Sequence, residues 1–150
     1  MLNEDLSTSI EIIKRMLEGS LPGAPRLYFG VVDVRDVAGM QIKAMTAPEA
    51  KGERFLAVAG DPVSIYDMSV ILQQAMGEKA AKAKLRQMPD WLIRVMALFN
   101  PLAREAAPRV GIRSAASNAK ARELLDWQFR SNEEAIVASG ESLIKLGIVR

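Results

Sequence analysis

The stretch YFGVVDVRDVAGMQIKAM, residues 28–45, changes at its centre from the pattern of a strand to the pattern of a helix. Tyr28 to Val34 is rich in β-branched and aromatic residues, which favour strands. Asp36 stands where a helix cap is needed, and apolar residues follow to Met45. The stretch therefore predicts a strand, a strand-to-helix turn and a helix of about Val37 to Met45.

A second strand is predicted at Phe55 to Ala59, where the run FLAVA ends at Gly60. Because the run is apolar on both faces, it indicates a strand covered on both sides, as in a parallel sheet. The predicted helix of residues 37–45 is also apolar around a wide arc, so we expect other elements to pack against more than one of its sides.

Helix signals dominate the rest of the chain. The capped or periodic segments begin at Thr8 with Glu11, Ser64 with Asp67, Trp91, Asn118, and Ser131 with Glu134. Residues 84–88 give a weak signal for a short strand. The order of elements predicts an α/β fold with two or three short strands and five to six helices.

The composition narrows the possible chemistry. The chain has 150 residues with no His and no Cys, a length that suits one domain. These absences exclude disulfides, thiol nucleophiles, a His general base and zinc sites built on His or Cys. We expect a cytoplasmic protein, since Cys is absent and no segment reads as a signal peptide or a membrane span.

Charge is concentrated in residues 79–122, which hold ten basic and two acidic residues. Such a segment either binds phosphate groups or forms a solvated helical face and loop. The solvated face is favoured, because the run lacks interleaved aromatic residues and a glycine-rich RNA-binding signature. We therefore expect no nucleic-acid partner.

Motifs for cofactor binding and catalysis are missing. No two glycines are separated by a single residue, which excludes a G-x-G-x-x-G fingerprint, and neither Tyr is followed by Lys at the fourth place. Asp33 and Asp36 form a carboxylate pair that could serve acid–base chemistry or helix capping. Capping is favoured, at Asp36, because the pair lies in a strand-to-helix turn.

Five runs carry a resemblance to a known family. They are FGVVDVRDVA at 29–38, MTAPEAKGERFLAV at 45–58, MPDWL at 88–92, SNAKARELLDW at 117–127 and the ending SNEEAIVASGESLIKLGIV at 131–149. Together they resemble the C-terminal half of extended short-chain dehydrogenases/reductases, in the dihydroflavonol-4-reductase-like branch of the NAD-dependent epimerase/dehydratase superfamily. The resemblance extends over nearly the whole chain.

The resemblance implies a fold, and it implies that this chain binds substrate while the preceding half of the enzyme binds the cofactor and carries the catalytic residues. Residues 1–150 would be the helix-rich, substrate-binding C-terminal portion of an NAD(P)-binding Rossmann-type enzyme, with Asp33, Arg35 and Asp36 as its motif residues. Residues 54–59 would be the last edge strand of the nucleotide-binding sheet. The glycine-rich turn and the catalytic Ser, Tyr and Lys of the family precede the matching region. No catalytic, cofactor-binding or metal-binding residue is thus expected here, although the intact enzyme would use NAD or NADP.

Candidate substrate-pocket residues are Arg26, Tyr28, Met88 and Trp91, together with the loop Met1–Ser9. An adaptable apolar pocket would suit the small apolar carbonyl compounds that the resemblance implies. The alternative is that the Met and Trp side chains belong to the core. The helix Trp91 to Phe99 could also touch a membrane surface, but a buried or lid helix is favoured, since no broad polar face is left.

Two functions remain open from the sequence. The chain is either the substrate-binding portion of an oxidoreductase that reduces an aldehyde or ketone, inactive alone, or a stand-alone non-catalytic module for binding or dimerisation. In both cases the apolar arc of residues 37–45 predicts exposed apolar surface on the isolated chain. We therefore expect a homodimer or association with a missing N-terminal half, and no membrane partner.

Overall fold

The computed structural model describes residues 7–149, without the side chains of Thr8 and Leu102. The helices of this part of the chain are α1 (Thr8–Glu18), α2 (Val34–Thr46), α3 (Ile65–Met76), α4 (Asp90–Met96), α5 (Pro101–Ala106), α6 (Ala119–Leu125) and α7 (Asn132–Lys145). Two short strands are present in these residues, β1 (Tyr28–Phe29) and β2 (Val63–Ser64). The chain is α/β and rich in helix, as the sequence predicts, with one more helix than expected.

The main core lies between α1, α3 and α7 and is closed by the 3-10 segment Gly77–Ala83. Met16, Leu17, Leu72 and Ile136 are its largest fully buried apolar side chains. These helices present one apolar stripe each to the centre, which is how amphipathic helices gain most of their stability.

Helix ends of the main core follow the sequence signals closely. The Ser64 hydroxyl accepts a hydrogen bond from the Asp67 N–H at 3.0 Å. The Ser131 hydroxyl accepts from the Glu134 N–H, and the Glu134 carboxylate accepts from the Ser131 N–H, which completes a capping box. The predicted box at Thr8 is wrong in position, because Ser7 is the N-cap and its side chain makes no capping hydrogen bond.

A second, smaller core joins α2 to α6. Its buried residues are Met40, Ala121 and Leu125, and the half-buried Trp127 packs against them. The indole ring lies directly over Gly39, where an added Cβ would be 2.4 Å from the Trp127 Cη2 atom. Glycine at position 39 is therefore the residue that lets the ring approach the helix backbone.

The strands are much shorter than the sequence predicts. Tyr28 pairs with Ser64 and Phe29 with Val63 in an antiparallel ladder of two residues per strand. The predicted continuation to Val34 is wrong, because α2 already begins at Val34. The predicted strand of residues 84–88 is reduced to one isolated bridge, between Ala24 and Gln87.

The segment Phe55–Ala59 does not form a strand in this structure. A backbone hydrogen bond joins it to the segment that follows β1, because the Ala59 N–H donates to the Val31 carbonyl at 2.8 Å. The Asn118 side-chain amide donates to the Val58 carbonyl at 2.7 Å. A strand requires a neighbouring strand to bond, and no described residue supplies one here. Its place at the edge of a larger nucleotide-binding sheet stays a prediction.

Candidate functional site

Two hollows open on the surface around the segment 26–29. The first has a volume of about 470 Å³ and is lined by Leu27, Tyr28, Phe29, Glu105, Ala106, Arg109, Ile112 and Ser114. The second is shallower and more open, with a volume of about 480 Å³, and is lined by Arg26, Gln87, Met88, Pro89, Asp90 and Trp91. We call the first the Tyr28 cavity and the second the Trp91 hollow.

The sequence-predicted site residues are divided between these two hollows. Arg26, Met88 and Trp91 share the Trp91 hollow, whereas Tyr28 lines the other cavity. The loop Met1–Ser9 was the remaining candidate, and its residues 1–6 lie outside the described residues. The two hollows are linked through the backbone, because the Gly111 N–H donates to the Arg26 carbonyl at 2.8 Å.

Arg26 is committed to an ion pair across the Trp91 hollow. Its Nε donates to Asp90 Oδ1 at 2.8 Å, and its Nη2 pairs with Asp90 Oδ2. The hydrogen bond from Arg26 lowers the pKa of the Asp90 carboxyl, and the same bond raises the pKa of Arg26. Since Asp90 is the first residue of α4, this bidentate pair joins the helix to the segment before β1.

Trp91 and Met88 differ in their surroundings. Met88 is half-buried against Gly23, where an added Cβ would be 2.6 Å from the Met88 Cγ atom. Trp91 is 64% exposed, and Phe99, which follows α4, is 85% exposed. The expectation of a buried helix at residues 91–99 is therefore wrong, because Ile93 is the residue of α4 that is buried. The alternative, a lid helix, stays a prediction.

The Tyr28 cavity combines an apolar floor with a basic rim. Leu27 and Phe29 are half-buried and pack against the main core. The Arg113 guanidinium carbon lies 5.0 Å from the centre of the Tyr28 ring, a distance that permits a cation–π contact. Sequence reasoning placed Arg109 and Arg113 in the basic segment but did not assign them to a site, because only the fold brings residues 105–114 against residues 27–29.

The carboxylate pair of the VDVRDVA run is structural. Asp33, not Asp36, is the N-cap of α2, and its carboxylate accepts from the Arg35 N–H at 2.8 Å and from the Arg35 guanidinium. The prediction that Asp36 caps the helix is wrong, because α2 begins at Val34 and so places Asp36 inside the first turn. Asp36 is 1% exposed and accepts from the Arg130 N–H at 2.8 Å and from Arg130 Nη1 at 2.5 Å.

This geometry argues against acid–base catalysis by the pair. The Arg35 hydrogen bond holds the pKa of Asp33 at about 2, which leaves its carboxylate ionised at neutral pH. An effective general acid or base has a pKa near the working pH. Both carboxylates are instead held by arginines, so we assign the pair to positioning the start of α2 and the segment around Arg130.

The lowered pKa of Asp33 predicts a pH-dependent part of the stability. Its folded pKa of about 2 lies below the ordinary Asp value of 3.8, so its contribution to stability is present above about pH 4 and lost as the pH falls towards 2. We expect Asp33→Asn to cost about 1–2 kcal/mol at pH 7, a figure reduced for solvent screening of the exposed Arg35, and less at pH 3. Denaturant unfolding at both pH values measures this difference.

The exposed carboxyl of Asp61 provides the control for that measurement. Asp61→Asn should change the free energy of unfolding little at either pH. A cost of Asp33→Asn that is the same at pH 7 and pH 3 would contradict the assignment of the shift to the folded ion pair.

The described residues offer no site for a metal ion, since they contain no group of three or more acidic side chains close enough to hold one. Every helix within residues 7–149 is too short or too polar to span a bilayer.

Comparison with known proteins shows a likeness of fold to a solved structure. No protein-family model and no curated protein matches the chain. The chain is similar to a solved structure titled "Crystal structure of gox2253", with a TM-score of 0.72 and 19% sequence identity. The match covers 96% of this chain and 46% of that chain, so this chain spans less than half of its length. At this identity the likeness concerns the fold alone.

Proposed function

We propose that the chain is the substrate-binding portion of an NAD(P)-dependent oxidoreductase of the extended short-chain dehydrogenase/reductase type, which reduces an aldehyde or ketone. In this proposal a separate half of Rossmann type binds the dinucleotide and supplies the catalytic residues. The resemblance of the VDVRDVA run supports the family, and the 46% coverage of a longer chain of the same fold is consistent with a partial unit.

The observation that carries the proposal is the apolar outer face of α2. Val34, Ile42 and Met45 lie on one stripe of the helix and are 78%, 66% and 85% exposed. Leu56, in the extended segment predicted as an edge strand, is 52% exposed. A helix that is apolar on its inner and outer sides is typical of a position between two packed layers. One of those layers would be the dinucleotide-binding half.

The starts of α2 and α3 are already capped by side chains, which supports a dinucleotide site outside this chain. The pyrophosphate of such a cofactor binds to free N–H groups at a helix N-terminus that follows a glycine-rich turn. At the start of α2 the Asp33 carboxylate occupies that position and accepts from the Arg35 N–H. At the start of α3 the Ser64 hydroxyl accepts from the Asp67 N–H. In this proposal the chain's own contribution is substrate binding, with the Tyr28 cavity as the candidate site.

The test compares this chain with the longest in-frame polypeptide that the source DNA encodes around it. We expect the longer polypeptide to oxidise NADPH or NADH when aldehydes or ketones are added. The chain alone should not oxidise NADPH or NADH. It should also bind neither cofactor at a concentration of about 1 mM, the upper end of ordinary KM values. Isothermal titration calorimetry and absorbance at the nicotinamide band provide the two measurements.

Binding of NADPH by this chain alone would contradict the absence of a cofactor site. A longer polypeptide without carbonyl-dependent cofactor oxidation, or a reading frame that adds nothing before Met1, would overturn the oxidoreductase proposal.

A second candidate is a stand-alone module for binding or dimerisation. It is favoured by a second exposed apolar group, Trp91, Val95, Leu98 and Phe99, on a different element from the α2 stripe. Sedimentation velocity separates the candidates. A tight dimer of the chain alone, weakened by Met45→Glu and unchanged by addition of any upstream polypeptide, would favour the module.

A further inference from the structure

One guanidinium group without an acidic partner lines the Tyr28 cavity, and a second lies over the ring of Tyr28 beside it. Among residues 7–149, the arginines that form ion pairs are Arg15, Arg26, Arg35 and Arg130. Arg109 lines the cavity and Arg113 lies over its Tyr28 ring, and neither is in an ion pair. Glu105 puts one carboxylate in the same lining, so the two arginines leave a net positive charge at the rim.

The fold holds both arginines at this rim. They flank Gly111, whose φ of +81° favours glycine and whose N–H donates to the Arg26 carbonyl at 2.8 Å. This hydrogen bond fastens the turn to the segment that leads into β1. The backbone positions from which Arg109 and Arg113 project therefore lie on either side of an anchored residue.

The floor below the rim is apolar and supported from behind. Leu27 and Phe29 pack against the main core, and Ile112 adds an exposed apolar side chain at the opening. A volume of about 470 Å³ is within the range of small-molecule pockets, roughly 300–1,000 Å³. The cavity therefore offers a fixed apolar surface of limited size beside a cationic edge.

We propose that the Tyr28 cavity binds an organic monoanion with an apolar body, such as an aryl or alkyl keto acid. The body would lie on Leu27, Phe29 and Ile112, and the carboxylate would pair with Arg109 and Arg113, whose planar donors suit carboxylates. As a statement about substrate class this rests on the proposed function, whereas the binding stands on the cavity itself. The expected ligand is thus charged, not the wholly apolar carbonyl compound predicted from the sequence.

The experiment measures binding to this chain without any cofactor. The probes are 2-oxo-4-phenylbutanoate and 4-phenylbutan-2-one, which share the phenyl chain and the ketone and differ in the carboxylate. Calorimetry should show that the chain binds the acid with an affinity about tenfold higher than its affinity for the ketone, because one charge-assisted hydrogen bond contributes about that much. Inorganic phosphate, an anion without an apolar body, should compete only weakly with the acid.

The double variant Arg109→Gln/Arg113→Gln should abolish the preference for the acid. Its matched control is Arg54→Gln/Arg122→Gln, which removes the same charge from two exposed arginines outside the cavity lining and should keep the preference. Thermal unfolding of both variants checks that they fold. Should either one be unfolded, the salt dependence of acid binding by the unaltered chain tests the same charge contact.

Three outcomes would overturn the inference: equal affinity for acid and ketone, no effect of the cavity variant on acid binding, or displacement of the acid by phosphate at a similar concentration. None of them bears on cofactor oxidation by the longer polypeptide. Conversely, an inactive longer polypeptide would leave a measured preference for the acid intact, so the two proposals fail separately.

Discussion

Replacement of Asp36 by alanine is expected to lower the free energy of unfolding by about 2 kcal/mol, because it removes a buried acceptor from the backbone and the partly exposed side chain of Arg130. Asp36 is almost fully buried and accepts from both the Arg130 N–H and the Arg130 guanidinium. Its removal leaves the Arg130 N–H without its acceptor and a guanidinium without its counter-charge. Urea unfolding of the variant and of the unaltered chain measures the difference.

A double-mutant cycle with Arg130→Met separates the ion pair from the backbone contact. The methionine removes the guanidinium but keeps the Arg130 N–H, so Asp36→Ala should still be destabilising in that background, though by less. We expect a coupling energy of about 1–3 kcal/mol between the two side chains. A cost of Asp36→Ala below about 0.5 kcal/mol, the level of an ordinary surface substitution, would contradict the structural role of this pair.

Gly39→Ala is expected to destabilise the chain by about 2 kcal/mol, although alanine is normally the better helix former by about 1 kcal/mol. The new Cβ would lie 2.4 Å from the Trp127 Cη2 atom and 2.9 Å from Cζ2. The ring packs against the second core, so its displacement by the new Cβ would disturb that packing. Thermal and denaturant unfolding provide the measurement.

Gly39→Ala made in a Trp127→Leu background tests whether overlap with the indole causes the loss of stability. The smaller side chain removes the overlap, so Gly39→Ala should then be neutral or stabilising by up to about 1 kcal/mol. The effect is thus expected to change sign between the two backgrounds. Stabilisation by Gly39→Ala in the presence of Trp127 would show that the indole does not restrict position 39.

Helix ends were the part of the fold that the sequence predicted best. Gly19 adopts a left-handed conformation after α1, and Ser64 and Ser131 cap the helices that follow them. These signals act through hydrogen bonds to residues two or three positions away, so a local pattern is sufficient. The start of α2 was misplaced because Asp33 and Asp36 have the same capping chemistry, and Asp36 instead accepts hydrogen bonds from the distant Arg130.

Strands and cavities were predicted less well because both depend on distant partners. Tyr28 and Phe29 form a strand only where Val63 and Ser64 approach them. Arg26, Met88 and Trp91 do share one hollow, since the Ala24–Gln87 bridge brings their segments together. Nothing near Tyr28 in the sequence indicates that residues 105–114 complete its cavity.

The contact between α1 and α7 joins the two ends of the chain and has a consequence for its biosynthesis. Ile136 and Leu143 of α7 complete the core around Met16 and Leu72, and Val149 is buried in the same cluster. A ribosome-bound nascent chain therefore keeps this cluster open until translation has passed the last helix. A premature stop codon before α7 would therefore yield a product with uncovered apolar surface, prone to aggregation and degradation.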